Sequence, residues 1–192
     1  MLTDLSDEQL MLAYADHNLD AFNELYGRYK TALYRFLLRQ VDGQANAEEI
    51  FQEVWGKIIK AKDHYKVTAS FRTYLYQIAR NTLIDSYRRK KLYTVSDDEL
   101  ESEASARLSV ADADPSNTVD SQQRYTRIID AIAALPTDQR DVFLLKEEAE
   151  LSIKDIADVL QINEETCKSK FRYARKRLRV MLGQDNSEAY DE

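Results

Sequence analysis

The chain has one cysteine, Cys167, four glycines and two prolines in 192 residues. One thiol closes no internal disulfide, and a Cys/His metal site needs more ligands than cluster here. A lone cysteine suits a reducing compartment, so a cytoplasmic protein with no metal and no cofactor is expected. Scarce glycine and proline disfavour a turn-rich β fold and suit long helices. No apolar run approaches the roughly 18 residues that span a membrane. The N-terminus, MLTDLSDEQLMLAYADHN, lacks the basic start and apolar core of a secretory signal. There is no glycine-rich phosphate loop and no Ser/His/Asp or Cys/His set. His17 and His64 have no evident partner, so no catalytic residues are expected.

What is present is charge, unevenly placed. The net charge is −7. Between Leu92 and Gln123 lie Asp97, Asp98, Glu99, Glu101, Glu103, Asp112, Asp114 and Asp120 against Arg107 alone, which accounts for the whole surplus. The remainder is balanced but patched. Arg88, Arg89, Lys90 and Lys91 are consecutive, and Lys168 to Arg179 holds seven basic residues and no acid. Such asymmetry says more about partners than the total does.

The apolar pattern predicts an all-α chain of two small domains. Phe22, Leu25, Tyr26, Tyr29, Leu33, Phe36 and Leu37 form one helical stripe. A second helix follows the break at Gly43, with Ile50, Phe51, Val54, Trp55 and Ile58 on one side. Residues 60–70 read as a loop ending in the N-cap candidate Ser70. A third helix runs over about 71–89, with Leu75, Ile78 and Ala79 inward. Residues 93–121, acidic and broken by Pro115, read as a flexible linker. Helical pattern then resumes: Ile128, Ile132 and Leu135 share a face, Pro136 punctuates, and Thr137 or Asp138 can cap the next helix. The expected division is 1–92, linker 93–121, 122–182 and a polar tail 183–192.

Three segments carry functional signal. LSIKDIADVLQINEETCKSKFRYARKRLR places a capped short helix, a tight connection and a basic helix in succession, the layout of a helix-turn-helix. The exposed face of its second helix offers Thr166, Lys168, Ser169, Lys170, Arg172, Tyr173 and Arg175 to bases and phosphates. A solvated amphipathic helix is the plainer reading, but the preceding capped helix and the lack of acids favour DNA. In SFRTYLYQIARNTLIDSYRRKK, Arg72, Tyr76 and Arg80 recur at four-residue steps beside Asn81, with Arg88 and Arg89 beyond. Cations interleaved with rings suit unstacked single strands, although Phe71 and Tyr74 read as core. NAEEIFQEVWGKI puts Glu49, Gln52 and Glu53, with Glu48 beside them, opposite an apolar side. Taken alone that face reads as solvated, and both Glu49 and Glu53 read as exposed. Paired carboxylates also raise a metal-dependent or acid–base enzyme, which the missing ligands do not support.

In this order and spacing the segments resemble the extracytoplasmic-function group of bacterial RNA polymerase sigma factors. DAFNELYGRY, AEEIFQEVWGKI and FRTYLYQIARNTLIDSYRR are similar to that family's first conserved domain. ALPTDQRDVFLL and the helix-turn-helix segment are similar to its second. The resemblance implies an alternative sigma factor, not an enzyme, that binds core polymerase and directs promoter-specific initiation. Glu48, Glu49, Gln52 and Glu53 would dock on the clamp helices of the largest subunit. Arg72, Tyr76, Arg80, Asn81, Arg88 and Arg89 would grip the melted minus-ten element, and the basic helix would read the minus-thirty-five duplex. An anti-sigma factor is an implied partner, holding the protein at the inner membrane in some cases; direct membrane insertion and a small-molecule substrate are not implied. Asn46 stands where the family often has Asp, Gln161 where it often has the turn glycine, and Cys167 where it has an aliphatic residue. A free-standing helix-turn-helix regulator is the alternative, and it leaves the first module idle.

Overall fold

In the computed structural model, residues 2–94 and 119–183 are described. They form α1 (Asp7–Ala15), α2 (Leu19–Leu38), α3 (Gln44–Ala61), α4 (Phe71–Thr94), α5 (Val119–Ala133), α6 (Thr137–Glu147), α7 (Ile153–Leu160) and α8 (Glu164–Met181), with short 3-10 turns at Leu2–Asp4 and Lys62–His64 and no strand among the described residues. The expected all-α, two-domain class is what the chain adopts. The linker expected over 93–121 and the tail lie largely outside the described residues.

Local chemistry sets the helix starts. Ser6 and Gln9 close a reciprocal capping box on α1, Asn18 caps α2, and Ser70 Oγ accepts from Thr73 N at 3.1 Å at the head of α4. Two boundaries differ from the sequence reading. α3 continues through Ala61 and a 3-10 turn follows, because Ile58 stays in the core and carries the helix with it. α6 begins after Pro136 with no side-chain cap; Asp138 turns away to pair with Lys170.

The first module packs α1–α4 around Leu25, Leu33, Phe36, Ile50, Val54, Ile58, Phe71 and Leu75, all buried. Phe22, Tyr26, Phe51 and Trp55 meet at ring-centroid distances of 5.0–6.3 Å along the α2–α3 seam. The second module gathers Ile132, Leu135, Val142, Leu144, Ile156, Ala157, Cys167, Ala174 and Leu178. Its helix-turn-helix is fixed at both ends of the turn. Ser152 caps α7, and Asn163 caps α8 by accepting from Thr166 N at 2.7 Å. Between them Gln161 takes the left-handed conformation at φ 55°, ψ 45°. Lacking glycine's freedom there, the residue stores strain on the order of 1 kcal/mol.

The modules touch: α4 packs on α7, and the end of α2 meets the end of α6.

Gln161→Gly should therefore raise the stability of the second module by up to about 1 kcal/mol, and Gln161→Val should lower it by more. Urea unfolding followed by circular dichroism measures both. Equal midpoints for Gly and Gln would show that the turn carries no strain.

Candidate nucleic-acid interface

α8 presents its basic side as the sequence anticipates. Lys168, Ser169, Arg172, Tyr173 and Arg175 are exposed, while Thr166 and Lys170 are half-buried at the helix flank. Cys167 fills the core as a small hydrophobe, and burial pushes its thiol up, away from reactivity. Four of the cations are already engaged inside the protein. Lys168 Nζ pairs with Glu165 at 2.7 Å, and Lys170 with Asp138, whose carboxyl is held below its ordinary range chiefly by that lysine. Arg172 lies 5.5 Å from the Tyr173 ring centroid, and Arg175 lies 5.9 Å from that of Phe171. Thr166, Ser169, Lys170 and Tyr173 share a groove of about 510 Å³ with Asp138, Gln139, Asn163 and Glu165. Sequence reasoning missed those last four. Asn163 and Glu165 lie in the acidic entry to the helix, where a search for basic residues does not look.

α4 divides the predicted minus-ten residues among three directions. Arg72, Tyr76 and Arg80 share a side, as their spacing requires, and that side faces α2 and the second module. Arg72 stacks 5.8 Å from the Tyr29 ring centroid and pairs with Glu150 at 3.1 Å. Tyr76 is only 1% exposed, set edge-on against Phe36. Its burial corrects the expectation of an open base platform: the four-residue strip lies over the α2 stripe, so the ring that was to meet DNA fills the core. Burial pushes its phenol far up, and its hydroxyl has no hydrogen-bond partner among the described residues. Arg80 is half-buried, with Nε likewise unpartnered there. Asn81 and Arg88 point the other way, into solvent, and Arg88 pairs with Asp85 at 3.2 Å. Gln77 and Ile84, which the sequence reading passed over, complete that open strip at helical spacing.

Arg89 takes the third direction, toward α3, and joins two groups the sequence kept apart. Its Nη2 lies 2.9 Å from Glu53 Oε2, and Lys57 Nζ lies 3.0 Å from Glu53 Oε1. Glu48, Glu49 and Gln52 are exposed, but Glu53 is half-buried between two cations. The expectation that Glu53 is a free docking carboxylate is corrected accordingly. Burial raises its pKa, yet Arg89 and Lys57 together outweigh that and hold it below the ordinary carboxylate range. Asn46 turns its amide back to the Asp42 carbonyl, securing the first turn of α3.

A basic helix-turn-helix on one module and a cationic helix beside an acidic face on the other are the arrangement of a two-module DNA-binding factor. Comparison with known proteins narrows this. Residues 25–93 match the family model described as Sigma-70 region 2, and residues 125–178 match Sigma-70, region 4. The chain is 32% identical to the ECF RNA polymerase sigma factor SigW of Bacillus subtilis (strain 168), covering 85% of this chain and 89% of that protein. It is 31% identical to SigM of the same organism, covering 83% and 93%. Among solved structures it is similar in fold to the sigma factor RpoE of Bartonella quintana, crystallised with the anti-sigma factor NepR. That likeness has a TM-score of 0.72 and 22% identity and covers 86% and 98% of the two chains. The chain belongs to the extracytoplasmic-function (ECF) group of RNA polymerase sigma factors and works as an alternative sigma factor, a transcription initiation factor and not an enzyme.

Because the depressed Glu53 pKa stabilises the fold above the unfolded carboxylate range, that contribution is lost as pH falls through the folded value. Arg89→Ala should move the Glu53 titration upward, toward the ordinary range, and shift the loss to higher pH. Side-chain carboxyl NMR titration reads this directly, and an unmoved midpoint would assign the depression to Lys57 alone.

Proposed function

We propose that this sigma factor divides its work among three surfaces. The basic side of α8 reads the minus-thirty-five duplex through Thr166, Lys168, Ser169, Lys170, Arg172, Tyr173 and Arg175. α4 grips the melted minus-ten element: Asn81 and Arg88 are already open to solvent, Arg72 and Arg80 become available once the second module moves away, Tyr76 supports them from the core, and Arg89 fixes α4 to α3. Glu48, Glu49 and Gln52 dock on the clamp helices of core polymerase, with Glu53 held in reserve by Lys57 and Arg89. The modules span 1–92 and 122–182, joined by the acidic stretch 93–121. The observation that carries this reading is α8: seven cations from Lys168 to Arg179 on a capped second helix of a helix-turn-helix.

No helix among the described residues is long and apolar enough to cross a membrane. The single buried cysteine supports work in the cytoplasm. An anti-sigma factor as a further partner is supported by the structural relative solved with one.

Reconstitution with core polymerase, followed by sequencing of the 5′ ends of transcripts made from genomic DNA, tests the division. Discrete start sites with shared upstream elements are expected. Lys168→Ala or Arg172→Ala should cost roughly 1–3 kcal/mol at a base contact, and selectively at one minus-thirty-five position. Glu48→Lys with Glu49→Lys should abolish core binding with the fold intact, since both side chains are exposed. Glu53→Lys is the poorer probe, because it would crowd Lys57 and Arg89. Unchanged start sites in the α8 variants would remove α8 as the reader.

A further inference from the structure

The second module meets the first through carboxylates. Glu148, just past α6, sits between Arg35 (3.2 Å) and Arg39 of α2, with 10% of its side chain exposed. Asp141 accepts from Gln40 Nε2 at 2.9 Å, with Arg80 near enough to act on its charge. Glu150 reaches Arg72 at 3.1 Å, and Asp155 on α7 accepts from Thr73 Oγ1 at 3.1 Å. All four acids fall within residues 141–155, and their partners lie at the C-terminal end of α2 and just past it (Arg35, Arg39, Gln40) and on α4 (Arg72, Thr73).

We propose that Asp141, Glu148, Glu150 and Asp155 stand in for nucleic-acid phosphates: in the free protein they hold the second module over α4, and this side of α4 takes single-stranded DNA only after they are displaced. The inference rests on reading α4 as the minus-ten surface.

Three observations carry it. A guanidinium binds carboxylate and phosphate alike, so Glu150 on Arg72 and Glu148 on Arg35 and Arg39 hold donors that a phosphate could take, while Asp141 and Asp155 accept from Gln40 and Thr73, an amide and a hydroxyl that also bond phosphate. The junction is polar and incompletely satisfied: the Tyr76 hydroxyl and Arg80 Nε are buried against it without hydrogen-bond partners among the described residues. Unpaired buried polar groups weaken the closed arrangement and leave donors for an incoming ligand. Finally, Glu150 makes its contact from a left-handed backbone, φ 53°, in the connection between α6 and α7. A non-glycine residue tolerates that conformation only where its surroundings enforce it.

The test uses the full chain carrying Glu148→Gln and Asp155→Asn, compared with wild type and with Asp16→Asn/Asp20→Asn. The latter is a variant of equal charge change at exposed positions far from the junction. Small-angle X-ray scattering gives the radius of gyration. Fluorescence anisotropy gives affinity for a fluorescein-labelled 30-nucleotide single-stranded DNA of mixed sequence. The junction variant should expand and bind the strand roughly tenfold more tightly than the charge-matched control, the gain expected when about a tenth of the free molecules are open. An unchanged radius overturns the clasp and leaves the α4 reading intact. Expansion with affinity equal to the control's overturns the α4 reading, and the masking with it. Should the double variant lose its helical circular dichroism, Glu150→Gln repeats both measurements at a carboxylate that is 75% exposed.

Discussion

Glu148 has given up most of its hydration, and two guanidinium groups, Arg35 and Arg39, replace the water. The arrangement of the two modules depends on that exchange. A carboxylate desolvated beside one cation recovers little of its lost solvation, whereas two guanidinium groups at the end of α2, one on each oxygen, satisfy both oxygens at once. The neighbouring contacts, Gln40 with Asp141 and Thr73 with Asp155, are single hydrogen bonds and follow from the register that Glu148 sets. Burial pushes Asp141 up despite the help of Gln40, Arg80 and Arg140, so this part of the junction is electrically under-compensated. An ionic junction of this kind contributes register and reversibility more than stability. Apolar side chains of similar volume would hold the modules at least as firmly, but could not exchange for phosphate.

Inside the first module a second set of acids places the α4 arginine. Glu8 Oε1 accepts from Phe71 N at 2.8 Å, so a side chain of α1 satisfies an orphan donor at the head of α4. Asp7 accepts from the Tyr29 hydroxyl and from Arg28, whose other donors take the Leu5 and Thr3 carbonyls. Tyr29, its phenol raised by burial and by Asp7, lies under Arg72. The N-terminal segment thus fixes the angle at which Arg72 leaves α4, by way of a ring and a cap.

Much of this could be read in the sequence. Side-chain period finds the α2 and α3 stripes because each buries one face against neighbours whose positions hardly matter. The helix-turn-helix is legible because its caps, Ser152 and Asn163, are local chemistry; the left-handed turn between them falls at Gln161. Tyr76 is the opposite case. Period shows that it shares a side with Arg72 and Arg80, but only the path of α2 and the seating of α7 decide that this side is covered. Glu53 follows the same rule: its exposure depends on Arg89, thirty-six positions away. Local pattern fixes which residues move together; which surface remains open is set by long-range packing.

The pairings also explain how a chain of net charge −7 handles DNA. Charges farther away than about a Debye length, ~10 Å at 0.1 M salt, are screened, so a bound strand feels the local cations and not the acidic remainder. Those cations are internally partnered: Lys168 with Glu165, Lys170 with Asp138, Arg72 with Glu150, Arg89 with Glu53. At these four cations a DNA contact is therefore an exchange of one anion for another, and its net gain is the small difference between two similar ion pairs. Summed over those four pairs, such exchanges add little to the affinity of the isolated protein for DNA. Specific binding then requires that something else hold the strand near while the exchanges occur. On the proposed docking through Glu48, Glu49 and Gln52, core polymerase would do so by raising the local concentration of DNA, without adding a single contact to the bases.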